Sequence, residues 1–319
     1  MALTNFPNGI SSFGIPTFGA GGLLPFTGNY FWVNETTGSD GGPGTADQPF
    51  KTLAHAQVAA TANNGDVVFV EGTIHTTATL NWAKDGVHLI GLTAPCASPR
   101  ARISQTGSVL FTPLVNVTAQ GCIFANLGTF HGFASNSAQV CWVEAGQRNC
   151  YSNVVFLGGM NATAAGHVGA RSLVVGAAGQ GENLFEDCVI GGDTVLNSGN
   201  SASLEFAGGS PRNTFRRCTF PRETSAAGAF FVTAPTGSVD RWNQFENCTF
   251  INNINSASTQ MTVGVSMGVA GGGPNGILMM KDCSLIGATK WGNAGALGQM
   301  YVDGGAPTAA TTGLAVNPS

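Results

Sequence analysis

Asn183-Leu184-Phe185-Glu186-Asp187-Cys188-Val189-Ile190, Asn213-Thr214-Phe215-Arg216-Arg217-Cys218-Thr219-Phe220 and Asn243-Gln244-Phe245-Glu246-Asn247-Cys248-Thr249-Phe250 are three copies of one line, spaced 30 residues apart. The shared pattern is N-x-F-x-x-C-x-(F/I). Weaker copies flank it: Phe124 to Thr129 and Asn149 to Phe156 upstream, Met280 to Leu285 downstream, with Val87 to Leu92 fitting as an early turn. A second strand and a glycine turn precede each copy, as in Leu173 to Val175 before Gly179 and Leu204 to Phe206 before Gly208 and Gly209. Two or three short strands per unit, repeated every few tens of residues, suit a solenoid in which each repeat is one rung. A propeller blade would want about four antiparallel strands per unit. The pattern therefore predicts an all-β fold, a right-handed parallel β-helix of seven or eight rungs stacked about 4.8 Å apart.

Once rungs stack, each position of the repeat becomes a ladder. Cys188, Cys218, Cys248 and Cys283 share one position that Leu127 and Val154 fill elsewhere, which marks a small apolar interior site. Free cysteine suits such a site, so the eight cysteines are read chiefly as reduced thiols, with disulfides between rungs as the alternative. Phe124, Tyr151, Phe185, Phe215 and Phe245 form a stacked aromatic core ladder. Glu186, Arg216 and Glu246 occupy one position and Asp187, Arg217 and Asn247 the next, so neighbouring rungs set opposite charges side by side. Their expected role is register, since a slipped coil loses the match.

Charge is scarce in the 319-residue chain. Thirteen Lys and Arg against seventeen Asp and Glu make 9% charged residues and a net charge of −4, while 43% of residues are hydrophobic and Gly contributes 46. The chain can bury a core and is not a charged disordered segment. No basic stripe exists to neutralise phosphates, so no nucleic-acid partner is expected. No apolar run is long enough to span a bilayer, so no membrane partner is expected, and no secretory signal is apparent.

The chain divides by composition. Residues 1–30 carry no charge and are punctuated by Phe6, Phe13, Phe18 and Phe26 among Gly and Pro, the character of an extended arm. Residues 31–66 form an N-terminal cap with a short helix in which Leu53, Ala54, Val58 and Ala59 recur at helical spacing before Asn63-Asn64-Gly65. Residues 67–290 are the β-helix and 291–319 a C-terminal tail. The arm offers four aromatic anchors for a partner's grooves; it would equally serve to cover the open end of the solenoid.

The search for chemistry yields little. Glu182, Glu186 and Asp187 are the nearest approach to paired carboxylates, and each is more simply a surface turn or an ion-pair member. His55, His75, His88, His131 and His167 make no HxH or HExxH arrangement, so no metal and no cofactor are expected. There is no G-x-S-x-G elbow, and the Gly176 to Gly181 run lies between strands, not at a helix N-terminus. Trp32, Trp82, Trp142, Trp242 and Trp291 are candidates for a glycan-binding surface or for the core.

The opening MALTNFPNGISSFGIP, with GNYFWVNETTGSDGGPGTADQPFKTLAHA and NGDVVFVEGTIH, resembles tailed-phage virion proteins with a right-handed parallel β-helix, encoded beside major capsid proteins. Residues 30–93 look like the capped first turn of pectate-lyase-like β-helices. The resemblance implies a structural, non-enzymatic capsid decoration or cement protein on the outer capsid surface. Its partners would be the phage major capsid protein and two sister copies in a homotrimer. The alternative it implies is a tailspike or fibre that binds or cleaves host surface polysaccharide.

Overall fold

The computed structural model describes residues 11–12, 15–16, 28–106, 109–176, 180–253, 258–268, 276–293 and 299–303. Three parallel sheets run the length of a right-handed β-helix. Sheet 1 has ten strands, ordered along the rod as Tyr30–Asn34, Val67–Glu71, His88–Gly91, Ile123–Ala125, Cys150–Ser152, Leu184–Glu186, Thr214–Arg216, Trp242–Glu246, Ile277–Lys281 and Met300–Val302. Sheet 2 has eight, from Thr73–Thr76 to Ser284–Ile286, and sheet 3 has eight, from Leu80–Trp82 to Ala288–Gly292. The chain visits the sheets in the order 1, 2, 3 and returns, which makes eight complete rungs.

The eight-residue line explains the sharp corner between sheets 1 and 2. Its fifth position carries a positive φ in every motif copy: Asp187 (55°), Arg217 (52°) and Asn247 (51°), with Asn126, Asn153 and Asp282 doing the same in the weaker copies. One left-handed residue turns the strand, and the Cys, Leu or Val after it drops inward. Leu127, Val154, Cys188, Cys218 and Cys248 are all buried, while Cys283 is half-buried near the end of the rod. All eight cysteines are free thiols; Cys188, Cys218 and Cys248 donate to the carbonyls of Tyr151, Phe185 and Phe215 one rung away at 3.4–3.5 Å.

The first position of the line builds a second ladder. Asn149, Asn183, Asn213 and Asn243 are buried, and each of the first three donates its backbone N–H to the side-chain oxygen of the next. Buried amides must be paired, and here one rung's side chain closes the backbone of its neighbour. Inside, Phe124, Tyr151, Phe185, Phe215 and Phe245 stack with centroids 4.6–4.7 Å apart, the rung spacing itself.

The cap contains a helix, α1 (Leu53–Ala59), whose N-cap Thr52 accepts from the His55 N–H and which buries Leu53 and Ala56. A second short helix, α2 (Ala162–Ala165), capped by Asn161, lies between sheets 2 and 3; the sequence pattern gives no sign of it.

Candidate functional site

Strand alternation gives sheet 1 an outward face whose chemistry changes along the axis. One outward column, read by register, is Trp32, Phe69, Ile90, Ala125, Ser152, Glu186, Arg216, Glu246 and Lys281. Beside it run Tyr30, Val67, His88 and Ile123. The first half is apolar: Tyr30 stacks on Phe69 at 6.0 Å, Trp32 tilts against Phe69 at 5.2 Å, and Tyr30 and Phe69 pack around buried Val67 and Ile90 as a cluster separate from the main core. The second half is charged.

The five residues expected to set register lie together in that second half. Arg216 contacts Glu246 at 2.9 Å and Glu186 at 3.5 Å, and Arg217 holds Asp187 through two bonds of 2.8 Å while reaching Glu186 at 3.0 Å. A parallel set, of which the sequence reading marked only Glu182, lies at the entry to sheet 1: Glu182 accepts from Arg148 at 2.8 Å and from Arg212 at 2.6 Å. The signal for it was present, since Arg148, Glu182 and Arg212 each directly precede a ladder asparagine. Hydrogen bonds from these arginines hold the Glu182 carboxyl below its ordinary range, and Arg217 does the same to Asp187. Glycoside hydrolysis needs a carboxyl kept protonated near neutrality; these two are pushed the other way.

Among the described residues, the one carboxyl raised to about 7 is Glu144, driven up by burial. It is 1% exposed and fully engaged, accepting from Tyr151 Oη, from Asn149 Nδ2 at 3.0 Å and from the Gly146 N–H at 2.9 Å. No substrate reaches it, and it belongs to the interior. His88 and His131 are also buried. His88 Nδ1 accepts from the Ile123 N–H at 3.0 Å, and His131 Nε2 lies 2.9 Å from the Phe111 carbonyl; burial lowers both to about 4. Among the described residues no three His, Cys, Asp or Glu side chains converge to hold a metal ion.

Phe6, Phe13, Phe18 and Phe26 lie outside the described residues. Of the five tryptophans, Trp82, Trp142 and Trp291 are core, which leaves Trp32 and Trp242 on the outward face of sheet 1 and removes most of the basis for a tryptophan-lined glycan surface. No described helix is long and apolar enough to cross a membrane.

No family model matches the chain, and no curated protein is detectably similar to it in sequence. Solved structures do share its architecture. A pectin methylesterase from Aspergillus niger aligns at 16% identity with a TM-score of 0.56, covering 91% of this chain and 90% of that one. Pectate lyase Pel9A aligns at 13% identity and a TM-score of 0.55, covering 86% and 74%. The tailspike of Acinetobacter phage vB_ApiP_P1 aligns at 11% identity and a TM-score of 0.46, covering 76% and 40%. At such identities the first two likenesses speak to the fold alone.

Proposed function

We propose that the chain is a structural virion protein that decorates a phage capsid. In this reading residues 1–30 grip the major capsid protein lattice. The outward face of sheet 1 then packs against two sister copies in a homotrimer. The observation that carries it is the divided face: an aromatic, apolar band at Tyr30, Trp32, Phe69 and Ile90 begins where the charge-free arm joins the rod. Tyr30, Trp32 and Phe69 are half-exposed around buried Ile90, and apolar side chains gathered on one face suit a partner's surface; the opening sequence also resembles phage proteins encoded beside capsid proteins. Deleting residues 1–28 and measuring binding to purified heads tests the docking half; loss of binding with an unchanged far-UV spectrum is expected, and undiminished binding overturns it. Light scattering of Trp32→Ser with Phe69→Ser tests the packing half, the expected result being a shift from trimer to monomer.

A polysaccharide-directed tailspike or fibre is the second reading. It is favoured by the likeness to a pectin methylesterase and a pectate lyase over most of the chain. Incubation with host capsule or lipopolysaccharide followed by product analysis separates the two; released oligosaccharide would favour the enzyme.

A further inference from the structure

Arg222 ends the sheet 2 strand Thr219–Arg222 and is 3% exposed, yet no carboxylate meets it among the described residues. Its neighbour in the same region, Arg171, is satisfied: it holds Glu205 at 2.6 Å and donates to the Val168 and Ala170 carbonyls. Arg222 finds only neutral oxygens, bonding Ser201 Oγ closely and reaching Ser203 Oγ at 3.4 Å and Asn197 Oδ1 at 3.5 Å. Its Nε–H is buried with no partner at all. Burial and the Arg171 charge lower it to about 9, so the guanidinium remains cationic at neutral pH. A buried cation without a counter-charge is costly and is normally matched by an anion.

The space beside it is built for one. A polar cleft between sheets 2 and 3 is lined by Gly158, Ser172, Gly191, Asn197, Ser203 and Arg222 and has room for about one water molecule. Glycine makes that room. Gly191 sits at φ +110°, and a Cβ there would stand 2.6 Å from both Ser203 Oγ and the Pro221 carbonyl. Gly158, which also lines the cleft, has no room for a side chain either: a Cβ there would stand 2.3 Å from the Arg171 carbonyl oxygen. Ser172 and Ser203 fall opposite each other in adjacent rungs of sheet 3. Ser172 Oγ accepts from the Gly158 N–H and Ser203 Oγ from Arg222, which leaves both hydroxyl hydrogens to be donated. The cleft thus gathers one cationic N–H and two hydroxyl donors, with no acid.

We propose that this cleft is a binding site for a monovalent anion of halide size, seated on Arg222 Nε and the hydroxyls of Ser172 and Ser203. The bound anion ties the sheet 2 to sheet 3 connections of two rungs to the rod. This claim is independent of what the arm or the outer face binds.

Thermal unfolding of the full chain in sodium chloride and in sodium gluconate, at equal ionic strength, tests it. A binding anion stabilises by mass action, so the apparent Tm is expected to be roughly 3–5 °C higher in chloride, rising with the logarithm of chloride concentration once the site is filled. Arg222→Met should abolish the difference. Should that variant fail to fold, Ser203→Ala should weaken it and move the onset of the rise to higher chloride. Crystals soaked in bromide should show an anomalous peak within hydrogen-bond reach of Arg222 Nε. Equal melting of the wild-type chain in both salts overturns the proposal, as does a full chloride response in the substituted chains. Bromide density without any effect in solution means an adventitious ion only and also overturns it.

Discussion

Glu144, His88 and His131 are single buried titratable groups whose effects on stability run in opposite directions. Glu144 is raised to about 7, so its contribution is complete below the carboxyl's unfolded value near 4.5 and is lost as pH rises through 7. The histidines are lowered to about 4, so theirs is complete above 6.5 and is lost as pH falls towards 4. Each group accounts for about 1.4 kcal/mol per pH unit inside its window. Between about pH 4.5 and 6.5 the acid offsets part of what the histidines lose. Glu144→Gln removes that offset, and denaturant midpoints should then fall more steeply on acidification than in the wild-type chain; parallel pH profiles would refute the assignment. At the corner position, Asn247 has φ 51°. Asn247→Val puts a β-branched residue in left-handed backbone, for a loss of about 1–2 kcal/mol, whereas Asn247→Gly should cost little.

The ladders act as elements because every member is held by the rungs on either side. Phe215 stacks on Phe185 at 4.6 Å and on Phe245 at 4.7 Å, so Phe215→Ala opens a hole bordered by rings on both sides; about 3–5 kcal/mol of stability should be lost in chemical denaturation. Asn213→Ala strips the partner from the Asn183 N–H and should cost about 1–3 kcal/mol. The Arg216 pairs are half-exposed and screened by water, and Arg216→Ala should leave the denaturation midpoint close to that of the wild-type chain. These elements were legible in sequence for a physical reason: identical rungs stacked in register require the same residue type at the same place, and Asn, Phe and Cys each suit one place. The apolar band was not legible, because the early rungs present Leu89 and Phe124 without the full line around them. The Arg222 cleft was not legible either. Its lining joins the strand residues Ser172, Ser203 and Arg222 to Gly158, Gly191 and Asn197 in the connections between sheets 2 and 3, whose lengths differ from rung to rung and leave no repeat.

At the scale of the molecule, ten strands of sheet 1 make a rod about 43 Å long in which each rung touches only its neighbours. Removing residues 184–213 takes out one whole rung and brings Ser152 beside Arg216. Such a chain should remain folded, with an unchanged strand signal and a particle shorter by about 5 Å in small-angle scattering; collapse to an unfolded chain would show that the rungs are not interchangeable. The chain enters this rod at Asn29, whose backbone and side-chain N–H groups both reach Asp66 Oδ1, while Asp66 also accepts from Thr61 and Asn64. Directly after this knot, Tyr30–Asn34 runs parallel to Val67–Glu71 over five paired residues. The attachment is therefore a mechanical coupling. Tension arriving along that strand loads its hydrogen bonds together, in shear, instead of peeling them one at a time, so a tether pulled from the N-terminal side draws on the strength of the whole sheet.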